Sequence, residues 1–409
     1  MQKSKKTGKK KRWTRSRHKL VRDVVSLFLH PYMKMKYGVK VDKFSDGGKR
    51  PYLILYNHQT PFDQFFVSSA FPGAVYYVAT EDIFSNGFVS SLIRFLVAPI
   101  PIKKNTADPK AIMNCIRVCR EGGAIAIAPE GNRTYSGRTG YMAPSIAPLA
   151  RKLGMPIALF RIEGGYGVEP RWSEKKRKGR MRAYVSEVIE PTEYSNLTDE
   201  ELFSRIRDGL FVNEAKADGE FRSRRLAEYI ERALYVCSDC GLTTYHSEGD
   251  IFFCKKCNRR LRYTKDKRIL EDDGKEYKFP FFLDLYDYQE SFVNSLSLDK
   301  MADEPIYTDD TTLREVIPYK KKKLLAKHVK VSLYPTRVTI SGDKIDLNMP
   351  FDDVFTMAVC GKNKLNIYFD GKIYQFKGDK RFCALKYLNF YFRYKNIKKG
   401  DSDGKFLGL

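Results

Sequence analysis

His58 stands five positions before Asp63 in Asn57-His58-Gln59-Thr60-Pro61-Phe62-Asp63, directly after the apolar run Tyr52 to Tyr56. That spacing lets a carboxylate turn back onto the imidazole. An imidazole held through one nitrogen by an acid can use the other to take a proton from a hydroxyl, which is the base and orienter part of a catalytic triad. No serine or cysteine nucleophile is needed where the substrate brings its own hydroxyl. The competing reading is a solvated histidine at the end of a strand, one of the 5 histidines of the chain.

A second group of residues adds to the first. Ala124 to Ala128 is again a strand-like run, and it delivers Glu130-Gly131-Asn132-Arg133-Thr134 into the loop that follows. Glycine permits close approach of the backbone, and an arginine fork suits a phosphate. Between the two groups, Pro99-Ile100-Pro101-Ile102-Lys103-Lys104 is a third strand end, carrying two cations out of an apolar stretch. Met155 to Ile162 is a fourth.

Four blocks in this order resemble the 1-acyl-glycerol-3-phosphate acyltransferase family, over about residues 20 to 215. The resemblance implies that His58 and Asp63 are the catalytic pair. It also implies that the acceptor phosphate is bound by Lys103 and Lys104 of the second block and by Glu130, Gly131, Asn132, Arg133 and Thr134 of the third. Here the second block reads Pro-Ile-Lys-Lys where Phe-Ile-x-Arg is usual, and Asn132 replaces a threonine. The implied reaction moves a fatty acyl group from acyl-carrier protein or acyl-CoA to the hydroxyl of a lysophosphatidate-like acceptor, making phosphatidate in phospholipid biosynthesis. His58 is then the general base and Asp63 steadies the imidazolium.

A sheet must hold these strand ends, and strands alternating with helices give an α/β domain, expected over 51–235. One helix starts with Asp108 as N-cap and Pro109 at the first position, ends at Gly122-Gly123, and turns Ile112, Cys115, Ile116 and Cys119 inward, so the two cysteines read as buried thiols. Phe84, Phe88, Leu92, Phe95 and Leu96 share another helical face, which could be core or lie against lipid, core being the expectation. Arg182 to Ile189 reads as a strand, Thr198 with Glu201 as a capping box opening a helix, and Arg225 to Tyr235 as a further helix. Arg171 to Arg182 carries seven basic residues and either borders the site or is a solvated loop.

The net charge of +25 over 409 residues implies an anionic partner, membrane or nucleic acid. Ten of the first twenty residues are Lys or Arg. This basic tail (1–19) leads into an amphipathic segment (20–50), where Val21, Val24, Val25, Phe28 and Leu29 fall at helical spacing and Pro31 is expected to stop the run. Such a segment reads as an interfacial anchor on an anionic membrane surface. No signal-peptide pattern appears, and no window of eighteen uninterrupted apolar residues. The expectation is a cytoplasmic protein peripherally attached to the membrane.

Cys237, Cys240, Cys254 and Cys257 form two C-x2-C pairs separated by thirteen residues, which fits a structural Zn2+ with four thiolates and a zinc ribbon over 236–263. His246 between them reads as a hairpin residue. Ribbon and charge together allow a rival, a nucleic-acid- or anionic-lipid-binding protein on an inactive acyltransferase fold. Nucleic acid is disfavoured as a partner because no base-reading motif accompanies the ribbon. Residues 264–304 read as a linker and 399–409 as a flexible tail. Over 305–398 short alternating runs, an Asp370-Gly371 hairpin and a closing helix look like a mainly β pleckstrin-homology or GRAM-type module, where Lys320 to Lys323 could meet anionic headgroups, with a protein-docking or purely structural module as the equal alternative.

Overall fold

The computed structural model describes residues 12–45, 50–80, 83–103, 108–342 and 344–400. Lys104, most of the basic tail and residues 401–409 lie outside the described residues.

The first part of the chain runs α1 (Ser16–Tyr37), β1 (Val39–Val41), β2 (Leu53–Tyr56), α2 (Asp63–Ala70), β3 (Val75–Thr80), α3 (Phe88–Val97), β4 (Ile100–Ile102), α4 (Pro109–Arg120) and β5 (Ala124–Ile127). It continues with α5 (Ile146–Leu153), β6 (Ile157–Glu163), α6 (Gly165–Val168), β7 (Met181–Ile189), α7 (Pro191–Tyr194) and α8 (Asp199–Leu210). The seven strands form one sheet in the order β1-β7-β6-β2-β5-β3-β4. β2 is parallel to both neighbours, β5 and β6, while β6 and β7 are antiparallel. All four residues of β2 are buried, as expected of a central strand covered on both faces. Because β2, β5 and β6 are adjacent and point the same way, their carboxyl ends open on one crevice. The blocks that follow them in sequence therefore meet in space.

Local signals explain the helix starts. The Asp108 carboxylate accepts the N–H groups of Lys110 and Ala111, and Thr198 with Glu201 makes a reciprocal capping box. Three expectations change. α1 does not stop at Pro31 but continues to Tyr37, because Met33 and Tyr37 beyond the proline are buried and hold the last turns against the cost of one lost helical bond. The face of α3 is not core: Phe88, Leu92 and Phe95 are 80%, 43% and 55% exposed. α3 packs on α1 while α4 covers β4 and β5, so among the described residues most of the apolar stripe of α3 stays open to solvent. Residues 225–235 form no α-helix, only a 3-10 turn at Ile230–Arg232, since their backbone is drawn into tertiary bonds such as Tyr235 N–H to Gln289.

The ribbon comprises a small hairpin, β8 (Val236–Cys237) with β9 (Gly241–Leu242), and an antiparallel sheet of β10 (Tyr245–Glu248), β11 (Ile251–Cys254), β12 (Arg260–Tyr263), β13 (Arg268–Glu271) and β14 (Glu276–Phe281). The stretch 264–304 is thus not a linker. It supplies β13, β14 and α9 (Phe282–Ser295), whose Phe282, Leu285, Tyr286 and Val293 repeat at helical spacing and are buried. The acidic turn at Glu271 to Gly274, linker-like in composition, only joins two paired strands.

The last part contains β15 (Tyr307–Glu315), β16 (Lys323–Leu333), β17 (Arg337–Gly342), β18 (Ile345–Pro350), β19 (Val354–Cys360), β20 (Lys364–Phe369), β21 (Lys372–Lys377) and α10 (Ala384–Lys399). The strands make an antiparallel sheet in the order β18-β17-β16-β15-β21-β20-β19, two meanders joined through β15 and β21. One apolar core runs from the first part into both later ones. Trp172, fully buried, stacks on Phe282 at 5.8 Å and meets Tyr263 edge-on at 5.6 Å. Buried Arg232 donates to Trp172 O and to Glu174.

Candidate active site

The end of β2 is pinned before any chemistry begins. Asn57 donates from Nδ2 to Ile162 O at 2.8 Å and accepts the Ile162 N–H at 2.7 Å, tying β2 to β6. His58 then leaves the strand and α2 starts at Asp63, so the intervening residues make a tight turn that brings Asp63 Oδ2 to 2.8 Å from His58 Nδ1. Asp63 is fully buried and also accepts from the backbone N–H of Gln59 at 2.7 Å, that of Thr60 at 2.9 Å and the Thr60 hydroxyl at 2.7 Å. A carboxylate with that many donors is fixed in place. It selects the tautomer with the proton on Nδ1 and leaves Nε2 as acceptor. Burial holds the His58 pKa below its ordinary value; Asp63 pulls it back up, while Arg133 and Arg171 push the same way as burial. The imidazole is therefore neutral at neutral pH, the form a general base needs.

The loop after β5 packs beside this turn. Glu130 is buried and accepts the His58 N–H at 2.7 Å and the Gly140 N–H at 2.6 Å, while burial pushes its carboxyl up to about 8. Through these two bonds it braces the base. Thr134 donates its hydroxyl to Arg138 O and accepts the Gly137 N–H, and its own N–H meets His58 O at 3.1 Å, so it shapes the loop. Gly131 takes φ +65, the left-handed region, at the turn itself. Asn132 Oδ1 accepts from Arg171 Nη2 at 3.2 Å.

Arg133 differs from the rest of its block. It is buried, yet its Nη1 has no hydrogen-bond partner among the described residues. Burial and the Arg171 charge both lower its pKa, against the pull of Glu169 and Asp63. A buried guanidinium left with unused donors is costly unless an anion completes it.

Of the second block, Lys104 lies outside the described residues. Lys103 is exposed after β4, three strands from β2, about 14 Å at ordinary strand spacing, and its N–H donates to the Asp108 cap at 3.0 Å. In its place the structure brings residues that spacing did not single out. Arg171 from the basic loop donates to Arg133 O at 2.9 Å and to Val359 O at 3.3 Å, and covers the Tyr135 ring at 4.2 Å. Glu169 accepts from Tyr37 at 2.8 Å and faces Lys176 at 3.8 Å and Lys362 at 3.6 Å. Lys362 and Val359 belong to the β19 and β20 hairpin, so the last part of the chain forms one wall of the cationic cluster. Arg171 to Arg182 was recognisable as a basic run; nothing in the local sequence of Lys362 marked it.

The four ribbon cysteines also converge. Their sulfur atoms all lie within 4.8 Å of one another, with Cys237 to Cys257 at 3.7 Å and Cys240 to Cys254 at 3.5 Å. Four thiolates about 2.3 Å from a tetrahedral zinc sit about 3.8 Å apart, so the donor set fits such an ion. The N–H of Asp239 and of Lys256 point at Cys237 and Cys254 sulfurs, as expected around thiolates. Cys115 and Cys119 are elsewhere, on the inner side of α4.

Residues 37–162 match the family model for acyltransferases. The chain is 23% identical over 142 residues to a 1-acyl-sn-glycerol-3-phosphate acyltransferase of Bacillus subtilis (strain 168), covering 34% of this chain and 66% of that protein. It is 26% identical over 110 residues to the chloroplastic 1-acyl-sn-glycerol-3-phosphate acyltransferase BAT2 of Brassica napus, covering 26% and 31%. The crystal structure of the 1-acyl-sn-glycerophosphate (LPA) acyltransferase PlsC from Thermotoga maritima aligns with a TM-score of 0.40 and 19% identity, over 47% of this chain and 78% of that one. The chain thus spans 66% and 31% of the two curated relatives. Residues 37–162, the part of the chain that matches acyltransferases, hold the His58 and Asp63 pair and the Arg133 loop.

Proposed function

We propose that the protein transfers a fatty acyl group from a thioester, acyl-CoA or acyl-carrier protein, to the free hydroxyl of a lysophosphatidate-like acceptor. The observation that carries this reading is the 2.8 Å contact between His58 and buried Asp63, in the same crevice as a buried arginine with an unused donor. His58 Nε2 takes the hydroxyl proton as the oxygen attacks the thioester carbonyl. Collapse of the tetrahedral intermediate forms the ester, breaks the C–S bond and returns the proton from the imidazolium to the departing thiolate. Asp63 stabilises that imidazolium, and Arg133 holds the acceptor phosphate. The test is an assay with labelled donors against lysophosphatidate, glycerol phosphate and a monoacylglycerol. Absence of product with every pair, in zinc-replete protein on vesicles, sinks the reading.

The ribbon is proposed to hold one structural zinc through Cys237, Cys240, Cys254 and Cys257. One metal per chain is expected, lost on Cys→Ser substitution at any of the four and kept on Cys115→Ser or Cys119→Ser. Elemental analysis of reduced protein purified without chelators decides it, and a zinc content near zero refutes it. Because the ribbon shares its core with Trp172 and α10, loss of metal should also lower the melting temperature of the whole chain.

Membrane attachment is proposed through α1 and α3. Among the described residues no helix is long and apolar enough to cross a bilayer. Leu27 and Phe28 of α1 and Phe88 of α3 are nonetheless 70%, 71% and 80% exposed, next to a strongly basic segment. Exposed apolar side chains flanked by cations suit an anionic lipid surface. Deleting residues 1–30 should sharply reduce co-sedimentation with anionic vesicles, and salt should weaken what the full chain retains. Equal sedimentation of the two proteins rules the attachment out. The pleckstrin-homology or GRAM-type reading of the last part stays a proposal resting on its strand order and closing helix.

A further inference from the structure

An open cavity of about 420 Å³ lies apart from the His58 crevice, lined by residues 12–18, α3, the turn into β4, α4 and Tyr319. Arg12, Arg15, Arg17, Arg94 and Arg117 line it. Arg117 is paired with Glu121 at 3.0 Å; the other four have no carboxylate partner among the described residues. Like charges gathered on one cavity repel, which disfavours the arrangement unless an anion joins it.

The cavity is built to aim these cations. The Arg17 guanidinium lies 3.9 Å from the Phe95 ring centre and its Nε donates to Phe95 O at 3.1 Å. Arg94 covers the Tyr319 ring at 4.9 Å and Arg117 the Trp13 ring at 5.8 Å, while Trp13 Nε1 donates to Ala98 O at 2.9 Å. His18, 3% exposed, shares Nδ1 with the Tyr76 hydroxyl at 3.0 Å, and its Nε2 has no partner among the described residues. Tyr319 takes φ +67, a left-handed conformation unfavourable for a non-glycine residue. That backbone sets its ring against Phe84 and beneath Arg94, at the head of the run Lys320 to Lys323. Four separate stretches of chain thus converge on one cationic cavity.

The lining selects the ligand. Guanidinium forks pair with phosphate through two N–H donors at once. Trp13, Phe95 and Tyr319 each already have a guanidinium against the ring, so the cavity offers cations ahead of aromatic faces. Ser91 and Phe95 belong both to this wall and to α3, whose Phe88, Val89 and Leu92 are exposed. A ligand entering beside them has a phosphate at one end and an apolar body at the other. We infer that this cavity is a second site, which binds the phosphate headgroup of an anionic lipid whose chains lie along α3.

The test uses full-length, zinc-loaded protein and the emission of Trp13, since Trp172 is fully buried and silent to ligand. Phosphatidylcholine vesicles containing phosphatidate should shift this emission, pure phosphatidylcholine vesicles should not, and the shift should vanish in Trp13→Phe. The double variant Arg15→Gln/Arg94→Gln alters two exposed side chains. It should weaken binding to the phosphatidate vesicles at least about tenfold. The control Arg207→Gln/Lys275→Gln, equal in charge and remote from the cavity, should change it less than about twofold. Equal losses in both double variants overturn the site in favour of general attraction to the surface. Saturation of the Trp13 shift by inorganic phosphate alone, at the affinity shown for vesicles, overturns the lipid assignment.

Discussion

His58→Ala is expected to lower kcat/KM for acyl transfer by at least about a hundredfold, with the fold and metal content of the wild type. Nothing in the packing opposes this substitution. The imidazole is only partly buried, and its backbone contacts to Glu130 and Thr134 run through the main chain, which alanine preserves. Asp63→Asn is a harsher change to the structure. The carboxylate accepts two backbone N–H groups, a hydroxyl and the imidazole, and an amide offers one oxygen where two were used. It should lose activity and also stability, about 1–3 kcal/mol for donors left unsatisfied in a buried turn. The pH profile carries the sign of the mechanism. A base works only when unprotonated, and His58 is held below its ordinary value of 6.5, so kcat/KM should fall as pH drops through a midpoint below 6.5. His58→Ala should abolish that limb. Turnover like the wild type in His58→Ala would end the mechanism.

The pair and its loop were legible in the sequence because their geometry is local. A base at the end of a buried strand and an acid at the start of the next helix, five residues apart, can meet through one turn. The Arg133 loop was legible for a similar reason, since β5 lies beside β2 and both run the same way. What stayed hidden depends on distant contacts. Lys103 stands near the sheet edge and not beside β2, because strand order, which its own sequence does not encode, places β5 and β3 between them. Lys362 reaches Glu169 across 193 positions of chain, carried there by a core that joins Trp172 to Phe282 and the last sheet. The same continuity explains the misread linker: α9 has the spacing of a packed helix, and only the presence of β14, α10 and β8 to pack on makes it one. The stripe on α3 shows the reverse. Its periodicity is that of a core helix, yet its apolar side chains face outward.

Arg133→Ala is expected to separate acceptors that carry a phosphate from those that do not. The guanidinium makes no hydrogen bond through its buried Nη1 and sits beside a second cation, Arg171, so it contributes little to the stability of the loop and is poised for an anion. Arg171 is the opposite case, with bonds to Arg133 O, Asn132 and Val359 O that hold the loop against the last sheet. Replacing Arg133 by alanine removes an unpaired buried charge, so the melting temperature should stay level or rise, whereas Arg171→Ala should lower it. In kinetics, losing a charged two-pronged contact worth about 2–3 kcal/mol should reduce kcat/KM for lysophosphatidate by roughly 30- to 150-fold. A monoacylglycerol, with no phosphate to hold, should lose less than about threefold. Arg133→Lys keeps the charge but not the fork, and in a pocket shaped for a planar group it should recover little of the loss. The decisive comparison is the ratio of the two acceptors in wild type and variant. An equal fractional loss on both, with a lowered melting temperature, would mean that Arg133 organises the loop and that the acceptor phosphate is held by other cations of the cluster, Lys176 or Lys362.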